Sequence, residues 1–308
     1  MFEPTLFYPE TTIPRGANGL FYLPSKSQHV YGHGGNSKAF STTFYLDRQE
    51  QIGVLVLTNM KDEYRFTSGI PEIVFGKYEH VENDRKLEDS SQWEGIYESA
   101  RLPSDGFSRV YGLLLRAHTK QSGAHKLMIN DLSYSQLEPS IYKTEDELNM
   151  YSLDVYSKHA EIKMVSNMYS DVLHIPYYKH YLEWAGIILG ILAVLFSLLY
   201  VIVTISRRLW NKKHLNKILL SQHLLTLLLI SNIVWIIYKT LSLVSYSSIK
   251  PFLTLNLIYV IIAIIINGFL LVQFKNKRLS KSELLVRIMT IIFTVILCVN
   301  VLYWEFYY

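Results

Sequence analysis

The amino-acid sequence predicts a mixed fold: a domain of strands with a short helix, then a small antiparallel β-domain, then a region of four transmembrane helices. Three observations predict it. Hydrophobic residues make up 50% of the 308 residues, and the mean hydropathy is +0.15, which is more apolar than is usual for a soluble protein. The longest apolar runs lie in the C-terminal part, and the strand-like segments lie before them. We therefore expect domains at residues 1–80 and 93–180, a linker at 81–92 and a membrane region at 181–308.

Four apolar runs account for the predicted membrane region. They cover residues 184–205, 218–238, 252–274 and 288–304. At a rise of about 1.5 Å per residue, each run reaches across a hydrocarbon core of about 30 Å, the fourth only marginally. The sequence therefore predicts a multi-pass protein in contact with the membrane lipid bilayer.

The distribution of basic residues predicts the orientation in the membrane. The segment between the first two runs and the segment between the last two together contain Arg207, Arg208, Lys212, Lys213, Lys217, Lys275, Lys277, Arg278, Lys281 and Arg287. The segment between the second and third runs contains only Lys239 and Lys250. Because basic loops stay on the cytoplasmic side, we expect residues 1–183 to be extracytoplasmic in the cell membrane. This placement of the positive charge argues against a nucleic-acid-binding surface, so no nucleic-acid partner is expected.

An exported domain needs an export signal, yet residues 1–22 have neither a basic region nor an apolar region of the kind that a signal peptide contains. We therefore expect this chain to be part of a longer exported protein. The chain has one cysteine, Cys298, which rules out a disulfide within the chain and a thiolate metal cluster.

Strand-like patterns dominate the first 80 residues. Residues 28–31 lead into the glycine-rich segment 32–36, and residues 39–47 alternate between apolar and polar side chains. Residues 52–59 are apolar on both faces, which predicts a buried central strand. A short helix is predicted over residues 68–78, and a polar linker over 82–92.

The sequence YGHGGN at residues 31–36, followed by IGVLVLTN at residues 52–59, resembles the C-terminal end of the serine β-lactamase and penicillin-binding superfamily, class C type. The resemblance implies that residues 1–80 are the C-terminal strands and helix of a β-lactamase-like α/β domain. It also implies that His33, Gly34 and Gly35 correspond to the Lys-Thr-Gly motif on the edge strand that forms one wall of the active site. His33 would lie near the substrate carboxylate, and the glycines would let substrate approach the backbone. The alternative is that these residues only form a hairpin turn.

The superfamily also uses a Ser-x-x-Lys nucleophile motif and a Tyr-x-Asn or Ser-x-Asn motif. This chain contains no Tyr-x-Asn or Ser-x-Asn. Ser-x-x-Lys occurs at Ser140/Lys143 and at Ser247/Lys250, but both follow His33, whereas the family order places the nucleophile before it. We therefore expect both to be coincidental and the chain to contain no catalytic nucleophile. The resemblance implies peptidoglycan peptides, β-lactams or small esters as ligands, and no cofactor or metal.

Residues 93–180 read as a second extracytoplasmic domain. Short apolar runs at 110–115, 126–129, 161–165 and 172–175 predict an antiparallel barrel or sandwich. Its opening, residues 93–101, resembles the start of the small β-domain that often follows the catalytic domain in this superfamily. Such a domain could cap the active site or bind envelope polymer. Alternatively, it serves only as a packing module between the enzyme and the membrane.

Two alternative functions remain open at this stage. The first is a non-enzymatic envelope protein that binds a ligand or signals. The second is a small transporter subunit. In a transporter, polar residues of the membrane region would line a path, and the candidates are His223, Asn232, Asn256, Asn267 and Gln273. Hydrogen bonds between helices are the commoner role of such residues. His29 and His33 lie in strand and turn instead of on one helix face, which argues against a zinc site of the HExxH kind.

Overall fold

A computed structural model describes residues 3–27, 29–77, 86–144, 153–159, 162–211, 216–276 and 279–308. The chain divides into two compact units. Residues Met1–Arg101 and Leu115–Tyr177 form the first unit, and Leu102–Leu114 and Tyr178–Tyr308 form the second. The first unit is built mainly of β-strands, and the second is helical.

The first unit begins with an antiparallel sheet whose strands follow one another in sequence order. Its described strands are β1 (Leu6–Phe7), β2 (Pro14–Ala17), β3 (Leu20–Leu23), β4 (Val30–Asn36), β5 (Ser41–Asp47) and β6 (Ile52–Thr58). Helix α1 (Arg65–Phe75) packs on one face, where Phe75 joins Val30, Tyr45 and Val56 in an apolar core. The helix ends three residues before the predicted limit, since Gly76 follows with a φ of 77°.

The prediction that residues 52–59 form a buried central strand is wrong. β6 stands at the end of the strand order among the described residues. Val54 and Val56 are buried on the face that α1 covers, whereas Leu55 and Leu57 on the other face are each 68% exposed. A strand that is apolar on both faces is typical of a sheet covered on both sides, and the described residues cover this strand on one side only.

The second part of the first unit is a closed antiparallel barrel. Its described strands are β7 (Gly95–Ser99), β8 (Ala117–Gly123), β9 (Lys126–Ile129), β10 (Leu132–Glu138), β11 (Ile141–Thr144), β12 (Leu153–His159), β13 (Ile162–Ser166) and β14 (Asp171–Ile175). Buried aromatic side chains fill it, and the Tyr142 hydroxyl is 2.8 Å from the Ser90 hydroxyl. Residues 78–85, which include the start of the predicted linker, lie outside the described residues. Ser90–Trp93 at its end form a 3₁₀ turn capped by the Asp89 carboxylate. Of the two architectures predicted for residues 93–180, the structure has the barrel.

One of the apolar runs predicted within the β-domain is not a strand. Residues Val110–Leu114 form the short helix α2, which belongs to the second unit although it lies between β7 and β8 in the chain. Leu113 and the preceding Phe107 are buried in the same apolar cluster as Trp304. The Glu305 carboxylate accepts hydrogen bonds from the Gly106 backbone N–H at 2.5 Å and from the Arg109 guanidinium at 3.1 Å. The run is therefore apolar because it packs into the helical unit.

The predicted membrane region is confirmed as four long apolar helices among the described residues. They are α3 (Tyr177–Asn211), α4 (Lys217–Leu241), α5 (Lys250–Asn276) and α6 (Lys281–Tyr303). α3, α4 and α5 extend beyond both ends of their apolar runs, because flanking polar residues are helical too, whereas α6 extends beyond only the start of its run. The helix that contains the marginal fourth run begins at Lys281, before the run itself, and Ser280 and Glu283 form a capping box at this start. These lengths and compositions are those of a multi-pass membrane protein.

Candidate functional site

His33, Gly34 and Gly35 lie in the second half of β4, and among the described residues this half has one unpaired edge. β4 pairs with β5 from Val30 to Asn36, but it pairs with β3 only over Val30, Tyr31 and Gly32. His33, Gly34 and Gly35 therefore lie where β3 has ended, and all three are exposed. Backbone groups on the open side of an antiparallel strand are available to an extended ligand. β4 is thus internal to the sheet in its first half and an edge strand in its second.

His33 is held by two contacts at this edge. Its ring stacks on Phe21 of β3, with 4.9 Å between ring centroids and 26° between ring planes. Its Nδ1 lies 2.5 Å from the carbonyl oxygen of Gly34. A carbonyl oxygen only accepts hydrogen bonds, so Nδ1 carries the hydrogen in this arrangement. Nε2 then accepts a hydrogen bond from a ligand when the ring is neutral and donates one when the ring is protonated.

The three glycines of the motif differ in what the fold requires of them. A Cβ atom on Gly32 would overlap the carbonyl oxygen of Phe44 and come within 2.5 Å of Cδ1 of Tyr45. The nearest atom to a Cβ on Gly34 would be the Thr42 carbonyl oxygen at 3.5 Å, an ordinary contact, whereas one on Gly35 would meet Thr42 Oγ1 at 3.0 Å. None of the three has a positive φ. The packing of the sheet thus requires glycine at Gly32, and nothing in the described fold requires it at Gly34.

Polar side chains fix the end of β4 beyond the glycines. The Asn36 side-chain amide donates to the Asp62 carboxylate, and Asn36 Oδ1 accepts from the Ser41 hydroxyl at 3.1 Å. This hydrogen bond from Asn36, together with one from Lys61, holds the pKa of Asp62 below its usual value. The loop before α1 is therefore tied to the end of the strand by an ionised carboxylate.

A turn of the barrel lies beside β3. The Arg15 guanidinium forms an ion pair with Asp171 at 2.8 Å and donates to the carbonyl oxygen of Asn167 at 2.6 Å. The turn that these contacts hold carries Tyr169, whose ring meets Phe21 edge-on at 5.2 Å. Burial and then the neighbouring Tyr169 raise the pKa of Tyr45 on the sheet to about 12. Phe21 therefore stands between Tyr169 and His33.

Sequence reasoning identified His33, Gly34 and Gly35 but missed Phe21, Tyr169 and the structural role of Gly32. No sequence signal links Tyr169 to His33, because the barrel turn reaches the sheet only through tertiary packing. A clue for Gly32 was its position inside a paired strand, where a glycine often marks close approach of another chain segment.

In both Ser-x-x-Lys matches the serine lies in a turn and the lysine lies in the next regular element. Ser140 lies in the turn between β10 and β11 with a φ of 64°, and Lys143 lies in β11. Ser247 lies in a 3₁₀ turn just before Lys250, and its hydroxyl is 3.0 Å from that of Ser245. Within the described ranges, no group of three or more His, Cys, Asp or Glu side chains is placed to hold a metal ion.

The polar residues of the membrane region join helices to one another. His223 of α4 is 3.0 Å from the Ser197 hydroxyl of α3 and 3.2 Å from the Thr290 hydroxyl of α6. Asn232 donates to Asn256 of α5 at 2.8 Å, and Gln273 accepts from Arg287 of α6 at 3.0 Å. Asn267 Oδ1 has no hydrogen-bond partner in the described part of the chain. These contacts favour the structural interpretation over a transport path.

Comparison with known proteins adds no assignment. No family model matches this chain, and no curated protein matches it.

Proposed function

We propose that this chain is the C-terminal portion of a membrane-anchored serine hydrolase of the β-lactamase and penicillin-binding type, and that it supplies one wall of the active site. The observation that carries the proposal is the second half of β4. This half combines an exposed histidine, an unpaired strand edge and a glycine, Gly34, that the described fold does not require. A hairpin turn does not require an unpaired strand edge, whereas a substrate that binds along the strand requires one.

The proposed role of His33 is to hold the anionic end of the substrate. With Nδ1 donating to the Gly34 carbonyl, the protonated ring donates to a carboxylate through Nε2. Gly34 and Gly35 leave room for the substrate backbone along the open edge. A peptidoglycan peptide, a β-lactam or a small ester has the carbonyl that such a hydrolase attacks, and a carboxylate is common to the first two.

The nucleophile must come from outside these residues, because the chain lacks the second motif and has no Ser-x-x-Lys before His33. The exposed face of β6 supports coverage of the sheet by further polypeptide. Leu55 and Leu57 are both 68% exposed there, and Ile73 on the outer side of α1 is 84% exposed. Apolar patches of this kind usually mark an interaction surface. DNA sequence upstream of Met1 tests this step, since an in-frame signal peptide and Ser-x-x-Lys would support an active hydrolase.

A non-enzymatic envelope protein is the second candidate, and the missing Tyr-x-Asn motif favours it. In that case the same strand edge would bind a ligand without turnover. A frame that starts at Met1 with no catalytic motif upstream would favour this candidate.

The chain of residues 1–308 by itself is expected to form no covalent adduct with a fluorescent penicillin or a fluorophosphonate. Acylation needs an activated serine. The serines of both Ser-x-x-Lys matches lie in turns, and both matches follow His33, which is the reverse of the order in the superfamily. The measurement is in-gel fluorescence after incubation of the purified protein with each probe. Stable labelling that disappears in Ser140→Ala would contradict the prediction and make Ser140 and Lys143 the catalytic pair.

We further propose that the basic loops are cytoplasmic and that the first unit is extracytoplasmic. In the properly exported protein, a cysteine at Asn211 or Asn276 is expected to resist a membrane-impermeant maleimide, and one at Ser135 to react. The native Cys298 is buried in α6 and provides a low background. Permeabilised cells are the control, because all three introduced cysteines should then react. The reverse pattern in intact cells would refute the orientation and with it the extracytoplasmic hydrolase.

A further inference from the structure

A second candidate binding site lies in the helical unit, where α3 ends and where α4 and α6 begin. A cavity of about 390 Å³ opens there, within the size range of small-molecule sites. Its lining is rich in polar side chains, among them Thr204, Arg207, Arg208, Ser282, Glu283 and Arg287. This cavity is separate from the His33 strand and plays no part in the hydrolase proposal.

The charge at this cavity is predominantly positive. Arg207, Arg208 and Arg287 line it, and Glu283 is the one carboxylate in the lining. Glu283 is already engaged, because its carboxylate accepts the Ser280 backbone N–H and hydroxyl in the capping box. Across the described residues, none of the three arginines forms an ion pair with a carboxylate. The described lining thus has three guanidinium groups against one carboxylate, Glu283, which interacts electrostatically with Arg287.

Arg287 gives the strongest indication that a ligand binds. Its side chain is buried, with the residue 3% exposed, and one guanidinium nitrogen donates to Gln273 Oε1 at 3.0 Å. Its Nε has no hydrogen-bond partner in the described part of the chain. A buried guanidinium is costly unless anions and hydrogen-bond acceptors compensate it. Glu283 of the same lining interacts with Arg287 electrostatically, and an anion bound in the cavity would add to that compensation.

Two helix ends add to the positive potential. The first turns of α4 and α6 border the cavity through Asn216 and Ser280, their N-cap residues. Helix N-termini carry a partial positive charge and favour phosphate groups. The C-terminal end of α3 contributes the opposite sign, but Arg207 and Arg208 lie in its last two turns. Hydroxyls of Ser282 and Thr204 complete a lining that can donate to several oxygens of one group.

We propose that this cavity binds a phosphate group. The fork of an arginine side chain matches the geometry of phosphate oxygens, and basic pockets between membrane helices are typical sites for phospholipid headgroups. The group comes from a membrane phospholipid or from a soluble phosphate compound. Both sources present the same chemistry to the three arginines.

The test uses the full chain purified in an uncharged maltoside detergent, with binding measured by titration calorimetry. The probes are inorganic phosphate and dihexanoyl phosphatidic acid, and dihexanoyl phosphatidylcholine serves as a lipid without net charge. Wild-type protein should bind phosphatidic acid saturably and at least tenfold more tightly than phosphatidylcholine. Similar affinity for inorganic phosphate would identify a soluble source, and preference for phosphatidic acid would identify a lipid headgroup. Either result supports the proposal.

Paired variants separate the cavity from general surface charge. Arg207→Gln/Arg208→Gln removes two exposed charges from the lining and should weaken binding at least tenfold. Lys217→Gln/Lys281→Gln removes two exposed charges at the starts of α4 and α6 that do not line the cavity, and should change binding by less than about twofold. Arg287→Lys keeps the buried charge but not the fork, and should weaken binding with an unchanged circular dichroism spectrum. Equal losses in both double variants, or no saturable binding of either phosphate probe, would overturn the proposal.

Discussion

His33→Ala, made in a complete hydrolase that carries the upstream catalytic motifs, is expected to lower kcat/KM by about tenfold to a thousandfold. This is the scale of losing one hydrogen bond that stabilises the transition state. The free energy of unfolding should change by less than about 1 kcal/mol, because His33 is exposed and the substitution removes only its stacking on Phe21 and its exposed hydrogen bond to the Gly34 carbonyl. Turnover of a chromogenic cephalosporin and thermal unfolding measure the two effects on the same preparation.

His29→Ala is the matched control for this prediction. His29 is also an exposed histidine, but it precedes β4 and lies away from the open edge, so its loss should leave turnover unchanged. Gly34→Val should lower turnover more than His33→Ala, since a branched side chain would stand where substrate lies along the strand. Unchanged turnover in His33→Ala would show that His33 has no role in binding substrate. A large loss of stability would show that its role is structural.

The helical part of the fold was predictable from the sequence because hydropathy and length decide it locally. The boundaries were not, since the capping box at Ser280 and the polar ends of α3 extend the helices beyond their apolar runs. The run at residues 110–115 was misassigned for a related reason. Its apolar side chains pack into the helical unit, and a run of this length does not distinguish a strand from a short helix.

The candidate site was predictable only as a short segment. The residues His33, Gly34 and Gly35 follow from motif resemblance, but the open edge depends on where β3 ends, and Tyr169 reaches Phe21 from the barrel. The same limit explains the error on β6. Alternation within a strand predicts which side chains share a face, but whether a second layer covers that face depends on the rest of the molecule.

Gly32→Ala is expected to disrupt the sheet, whereas Gly34→Ala is expected to preserve it. A Cβ at Gly32 would overlap the Phe44 carbonyl oxygen, so β4 and β5 must separate locally. We expect a loss of about 3 kcal/mol or more. A Cβ at Gly34 meets only an ordinary contact, and the loss should stay within about 1 kcal/mol.

Hydrogen exchange followed by mass spectrometry on the full chain measures the difference between these two variants directly. Backbone amides of β5 (Ser41–Asp47) should lose protection in Gly32→Ala and keep it in Gly34→Ala, because only the first substitution places an atom in overlap with the β5 backbone. The helices of the second unit provide an internal reference for exchange. Equal loss of protection in the two variants would mean that Gly34 also serves the packing of the sheet. Its small size would then no longer indicate a place for substrate, and the main support for an active-site wall would be lost.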